Sequence, residues 1–371
     1  MRPRSLGLLA VVVGALSGAA WWLLDRQADG GTEAAGLALP GFAERVEAID
    51  AIEVRGAGDQ RLVRIEKRDG TWVMPDRDYW PANQREVSRA VFRLGQARRI
   101  EPKTRNPALH ARLGVEAIAA PDAKGSELRL AGGGEPVRLV IGNNHPSLGG
   151  SYVRVGDDPQ AWLLDEDIGP AREPTDWLDR RLLDLPMARI EEVRIAPAGG
   201  RGFRLSRVDD RFSLDGQPPQ VMTDPDAGNG TAGVTDQLPF DDLATDSGTD
   251  ATQVVDFVGV DGVAVRIAAW RDDRGTWARL SASLDEARAR VWFERAAADA
   301  AAAATAAGDG TGEGGDAPPP GPAPSPEERV AALRTQVEAW QASFEGRQFL
   351  LPPYKAAPLM RSRNDYLAGR R

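Results

Sequence analysis

Residues 49–74, IDAIEVRGAGDQRLVRIEKRDGTWVM, set the expectation for the fold. Ile49, Ile52 and Val54 are spaced to end as a strand. Val63 and Ile65 alternate with Arg64 and Glu66, and Asp69-Gly70 turns the chain into Trp72-Val73-Met74. Apolar residues at a period of two on either side of a turn dipeptide mark a half-buried β-meander. Residues 190–214, IEEVRIAPAGGRGFRLSRVDDRFSL, start the pattern again. Ile190, Val193 and Ile195 answer Ile49, Ile52 and Val54 at an offset of 141, and Phe203, Leu205, Phe212 and Leu214 answer Val63, Ile65, Trp72 and Met74 at an offset of 140. The one-residue change fits a single loop deletion, and the pattern predicts a duplicated unit. The competing account is that any two amphipathic meanders can be aligned in this way.

Outward from these stretches, Asn83 is placed to cap a helix, with Glu86 three residues on as a capping box and Val87, Ala90, Val91 and Leu94 on one face. Asn106-Pro107 opens a second, short helix that Gly114 ends. Strand-like runs follow at 128–130, 137–141, 152–155 and 161–164, then a helical link over 175–185. In the second half, strands are expected at 257–260, 263–270 and 276–281, and a helix over 284–295. The polar stretch 217–253 decorates this half, with only 238–243 apolar enough to pack. Of the 31 residues from 296 to 326, 24 are Ala, Gly or Pro, too little apolar surface to offset the entropy of ordering. The alanine run can extend the preceding helix, and 308–326 reads as a flexible, partly polyproline linker. A last helix over 326–344 carries Val330, Leu333, Val337 and Trp340 on one face and leads to Phe349-Leu350-Leu351-Pro352 and a basic tail from Lys355.

The chain has 371 residues, 46 Lys+Arg against 55 Asp+Glu, no Cys and two His. The acidic balance argues against nucleic acid as the main partner. Lack of cysteine excludes disulfides, thiolate nucleophiles, iron–sulfur clusters, Cys-based zinc sites and a lipidated Cys. Residues 6–24, LGLLAVVVGALSGAAWWLL, are 19 residues without a charge, reaching roughly 28 Å against the roughly 30 Å hydrocarbon core of a bilayer. Leu6, Val12, Leu16, Trp21, Trp22 and Leu24 would sit in that anchor. Arg2 and Arg4 precede it and hold the N-terminus in the cytoplasm, while Trp21 and Trp22 suit the outer interface. The rival is a signal peptide cleaved near Gly18-Ala19-Ala20. Either way the bulk of the chain is expected outside the cytoplasm.

The sequence therefore predicts an α+β protein: residues 1–26 cytoplasmic terminus and anchor, 27–45 tether, 46–170 a first meander–helix–meander unit, 171–187 a helical link, 188–295 a second similar unit, 296–326 a linker, and 327–371 a C-terminal helix and basic tail.

No stretch assembles chemistry. His110 fits a partly exposed helical position. His145 and Ser147, in Asn143-Asn144-His145-Pro146-Ser147-Leu148-Gly149-Gly150, can be imagined as base and nucleophile, but two residues apart around a Pro their side chains need not converge, and a loop is the plainer account. Asp224-Pro225-Asp226-Ala227-Gly228-Asn229-Gly230 has the look of a calcium loop, yet Thr235 stands where the bidentate Glu belongs. Gly132-Gly133-Gly134 and Gly199-Gly200 read as hairpin turns, and the adjacent Asp241-Asp242 as diverging carboxylates. No catalytic, cofactor-binding or metal-ligating residue is expected, and no cofactor. Most of the ten Trp read as core, with an aromatic groove as the alternative.

Ile49-Asp50-Ala51-Ile52-Glu53-Val54, Asn106-Pro107-Ala108-Leu109-His110-Ala111-Arg112-Leu113-Gly114-Val115, Tyr152-Val153-Arg154, Asp176-Trp177-Leu178-Asp179-Arg180-Arg181-Leu182-Leu183-Asp184-Leu185 and Phe349-Leu350-Leu351-Pro352-Pro353-Tyr354-Lys355, behind an N-terminal anchor, together resemble the bacterial membrane-anchored domain-of-unknown-function 4340 family. The resemblance implies no catalytic residues. It implies company with ABC transporters of the gliding-motility auxiliary type, at the bacterial inner membrane. The expectation is a non-enzymatic accessory or binding subunit of an envelope transport assembly, with the bilayer and a permease or auxiliary subunit as partners. A cell-wall or polysaccharide-binding structural module and an envelope hydrolase are the alternatives.

Overall fold

The computed structural model describes residues 36–215, 222, 224, 226–307 and 324–367. The anchor expected over residues 6–24, most of the tether and much of the linker lie outside the described residues. Among the described residues no helix is long and apolar enough to cross a membrane. The chain is an α+β protein, and its contacts divide it into two compact units, Met1–Asp179 and Arg180–Arg371.

The first unit holds β1 (Ala51–Gly56), β2 (Gln60–Arg68), β3 (Thr71–Met74), β4 (Trp80–Pro81), helix α1 (Gln84–Gln96), β5 (Arg99–Pro102), the short α2 (His110–Leu113), β6 (Ser126–Ala131), β7 (Val137–Asn144), β8 (Ser151–Val155) and β9 (Ala161–Leu164). They form one antiparallel sheet in the order β4-β3-β2-β1-β6-β7-β8-β9-β5. Period-two alternation gives the sheet two unlike faces. Ile52 lies opposite Ile65 and Leu130, and Val54 opposite Val63 and Leu128, all buried. Each such side chain contributes about 1.5–3 kcal/mol through burial. On the other face Glu53 stands between Arg64 and Arg129, and Arg55 bonds Glu53 and Asp59. The α1 cap forms in part: Asn83 Oδ1 accepts the amides of Arg85 and Glu86, and Val87, Val91 and Leu94 are buried, but Glu86 pairs with Arg89 at 2.6 Å and does not close the expected capping box.

The second unit holds β10 (Arg181–Leu183), β11 (Ile190–Pro197), β12 (Phe203–Val208), β13 (Arg211–Leu214), α3 (Ala227–Ala232), β14 (Leu238–Pro239), β15 (Asp242–Thr245), β16 (Gln253–Gly259), β17 (Val263–Arg271), β18 (Thr276–Leu284), α4 (Glu286–Ala307), α5 (Pro326–Phe344), β19 (Arg347–Leu351) and α6 (Pro353–Leu359). Its large sheet runs β13-β12-β11-β16-β17-β18-β19-β15, and β10 pairs with β14 apart from it.

From β3 to β5 this order repeats that of the first sheet, with β4 the one strand lacking a counterpart in the second, and the registers repeat with it. Ile52 opposite Ile65 is matched by Val193 opposite Leu205. Glu66 opposite Val73 is matched by Ser206 opposite Ser213. Leu128 opposite Leu139 is matched by Val255 opposite Ile267, and Val153 opposite Trp162 by Ala278 opposite Phe349. The one-residue change of offset falls at a β-bulge after Val54, while the β11–β12 ladder runs without a shift. A 3-10 turn, Pro174–Trp177, precedes a bridge from Leu178 to Ala82; likewise Arg363–Tyr366 precedes a bridge from Leu367 to Met222.

Two expectations are corrected. Residues 171–187 are not a helical link: after the Pro174–Trp177 turn Asp179 N–H donates to Pro81 O, and Arg181–Leu183 are extended, because edge pairing satisfies their backbone and buries Leu182 and Leu183. The second unit does not close at residue 295. β19 lies between β18 and β15, so α4 and α5 stand between two neighbouring strands of the sheet, where the first sheet has only residues 156–160. Low complexity at 296–326 concealed this, because that composition reads as the end of a domain. α5 spans the residues expected, capped by Ser325 in a full capping box, with Val330, Leu333, Val337 and Phe344 buried. The tail packs on its own unit: Lys355 Nζ donates to Gly233 O and Asp236 O, Arg361 to Ala227 O, and Arg363 pairs with Asp215.

Candidate functional site

Gln84, the first residue of α1, fixes that helix over β3. Its Oε1 accepts the Trp72 amide at 3.2 Å, and its Nε2 donates to Trp72 O at 3.0 Å and Ala82 O at 2.7 Å. The helix runs from this clamp along one side of a groove of about 730 Å³. Val87, Val91 and Phe92 of α1, Trp72 and Lys67 of the β2–β3 hairpin, and Ala43 and Val46 of the 3-10 segment Ala43–Ala48 line it, with Glu47 and Arg89 also present. Lys67 and Trp72 are cross-strand neighbours, the ammonium 6.0 Å from the ring centre. Phe92 is 67% exposed. An apolar floor with cationic and anionic groups around it can take an apolar side chain or small apolar ligand carrying a polar end. The sequence offered an aromatic groove only as an alternative for its Trp residues and did not place it. Its signal was Phe92, a large aromatic out of phase with the Val87–Val91–Leu94 stripe.

The residues singled out from sequence are used structurally. His110 is buried, not partly exposed, because its ring Nε2 lies 2.9 Å from the carbonyl of Pro159, which anchors α2 to the turn before β9. His145 and Ser147 do come together, but through the backbone. His145 Nδ1 accepts the amides of Ser147 at 3.2 Å and Leu148 at 3.1 Å, so that nitrogen is committed to holding the β7–β8 turn. Beneath it the fully buried Ser151 hydroxyl bonds Asn144 Oδ1 and Asp167 Oδ1 and accepts the Ile168 amide. Burial opposes the Asp167 carboxylate, yet the Gly169 amide, Asn144, Ser151 and the nearby Arg93 hold its pKa below the ordinary value. A carboxylate so satisfied is a weak base and a strong tether.

Asp224 Oδ1 accepts the Asp226 amide as the chain enters α3, an Asx turn and not a ligand cage. Asp242 pairs with Arg274 at 2.7 Å and Asp241 faces Arg180 at 3.8 Å, so the two carboxylates diverge. Gly132-Gly133-Gly134 and Gly199-Gly200 lie in hairpin connections, as expected. Among the described residues no three of His, Asp and Glu gather as a metal-holding group. Trp80, Trp162, Trp177, Trp270 and Trp277 are buried; Trp72 at the groove and Trp340 on α5 are half-buried, and Trp292 on α4 is exposed.

An α+β chain with an open groove, its candidate residues tied into turns, is a broad class. Residues 72–252 match the model of a family described as Domain of unknown function (DUF4340). The match runs from Trp72 in β3 to the residue before β16 and bears out the resemblance read from the sequence. Neither the curated proteins nor the solved structures give a match.

Proposed function

We propose that this chain is a membrane-anchored accessory or binding subunit of a cell-envelope, ABC-type transport assembly, held in the bacterial inner membrane by Leu6–Leu24 with its bulk outside the cytoplasm. The architecture fitting this role is a duplicated meander–helix–meander: two similar units on one anchor. The observation that carries the reading is the groove around Trp72 and Phe92, an apolar recess open to a partner in a chain whose candidate catalytic groups are tied into turns. The uncharged run at 6–24 and the acidic surface of the remainder support the location.

Cross-linking in native membranes, followed by detergent extraction, affinity capture and mass spectrometry, tests it. Recovery of a permease or its ATPase is the expected result, reduced by Phe92→Glu, which places a charge in the groove. Recovery of the chain alone would sink the transport role. Turnover by the purified chain that vanishes on a point substitution would sink the non-enzymatic one.

A further inference from the structure

A second cleft in the first unit, of about 540 Å³, carries a concentration of guanidinium groups that the groove lacks. Arg45, Arg99 and Arg138 line it, against Glu135 and Asp157, and Leu39, Val137 and Val155 supply apolar wall. Arg99 is held rigidly: its guanidinium lies 4.8 Å from the Trp162 ring centre and its Nη2 donates to Ala38 O at 3.0 Å. Its Nε–H is buried without an acceptor, and among the described residues Arg99 has no carboxylate partner. Among the described residues Arg45 binds backbone oxygens, those of Gly133 and Glu135. That contact exists because Gly132, at φ 106°, lets the β6–β7 turn press onto the 3-10 segment; a Cβ there would meet Ala48 O at 2.1 Å. Arg138 is paired with Asp157 at the rim.

We infer that this cleft is a binding site for a singly charged oxyanion on an apolar body. Three cations against two anions leave one positive charge. Guanidinium forks short of acceptors are suited to carboxylate or phosphate oxygens. The ligand is the polar end of an anionic lipid or a free amphiphilic acid. The site is independent of the transport reading.

Titration calorimetry on the full chain in dodecyl maltoside, at constant ionic strength, separates these sources with two probes, dihexanoyl phosphatidylglycerol and hexanoate. Saturable binding of either, weakened at least about tenfold in Arg99→Gln, is expected, the loss of a buried charge-assisted contact being of that size. The tighter probe identifies the source. No saturable binding by either probe, or equal binding by Arg99→Gln, overturns the site. Should that variant misfold, Asp157→Asn decides. It changes only an exposed rim carboxylate and frees Arg138, so tighter binding is expected, and unchanged or weaker binding overturns the proposal.

Discussion

Trp72 lines an open groove beside a helix of 13 residues, whereas Phe212, at the matching register position of the second sheet, is fully buried beside a helix of 6. Both rings carry a cation from the neighbouring strand: Lys67 at 6.0 Å over Trp72 and Arg207 at 4.8 Å over Phe212. In the second unit Arg207 is drawn in by Ile190 O and Met187 O, and α3 approaches so closely that a Cβ on Gly228 would lie 2.0 Å from Phe212 O. Where α1 stands off in the first unit, α3 shuts the space. Register is therefore the part that repeats and the crossing helix the part that varies. A one-residue slip of any strand would turn its apolar set to the solvent, while a helix can be lengthened or cut without disturbing the ladder.

The comparison breaks most readily at those two rings. Phe212→Ala should cost about 3–5 kcal/mol, and Trp72→Ala, at a recess already open, about 1–2 kcal/mol. Denaturant unfolding with hydrogen exchange resolved on either side of residue 179 would show whether the losses differ; equal losses would mean that the groove is filled in solution.

Next in size is Asp261, buried at the β16–β17 turn and paired with Arg189. The matching turn of the first sheet is Gly132-Gly133-Gly134. Removing one partner of a largely buried pair costs about 3 kcal/mol at the low end, here further reduced because Arg189 is partly exposed. Asp261→Ala should lower stability only in the second unit, and protection changes in both would contradict the division.

A smaller effect separates the units by pH. Asp167 in the first unit titrates below its ordinary value, so its stabilisation is whole above that value, about pH 4, and is lost as pH falls from there through the lower folded value. Tyr366 in the second is pushed up by burial, against the Thr231 hydroxyl and Arg361, which pull it down. The unfolded chain then gives up that proton first, and stability drops as pH climbs past the ordinary tyrosine value of about 10. Asp167→Asn should flatten the acid limb of the first unit and Tyr366→Phe the alkaline limb of the second. Trp177, which holds the corresponding place in the first unit, cannot titrate. The smallest effect belongs to the exposed fork from Arg334 to Glu286 between α5 and α4. Arg334→Ala should leave the unfolding midpoint unchanged within error, since exposed pairs contribute little.

Much of the scaffold could be read from the residues alone. Ile49 to Met74 and Ile190 to Leu214 alternate cleanly because one face is core, and their alignment matches the ladders pair for pair. Asn83 and Gly114 marked helix ends because capping is local chemistry. What sequence could not supply was distant pairing. Nothing in Arg347–Leu351 says that its neighbours are β18 and β15, and nothing in Arg181–Leu183 says that it will find β14. The groove and the arginine cleft were hidden for the same reason. Phe92 and Arg99 look like ordinary surface residues until Trp72 and Trp162 are brought beside them.

The long excursion between β18 and β19 also sets an order of events in time. As the chain is made, the first sheet has its last strand by residue 164, and every contact it needs is already present. The second must wait: β15 pairs only with β19, about a hundred residues later, and β18 has an open edge until then. Such late, non-local closure is slow, and an unpaired strand edge is a template for wrong partners. α5 forms from local contacts and can dock against β18 during that interval, with α4 packed on it, so this pair acts as a cover over an unfinished sheet. A chain halted before residue 347 would hold one finished unit and one exposed edge, which makes the arrival of β19 the point at which synthesis becomes safe.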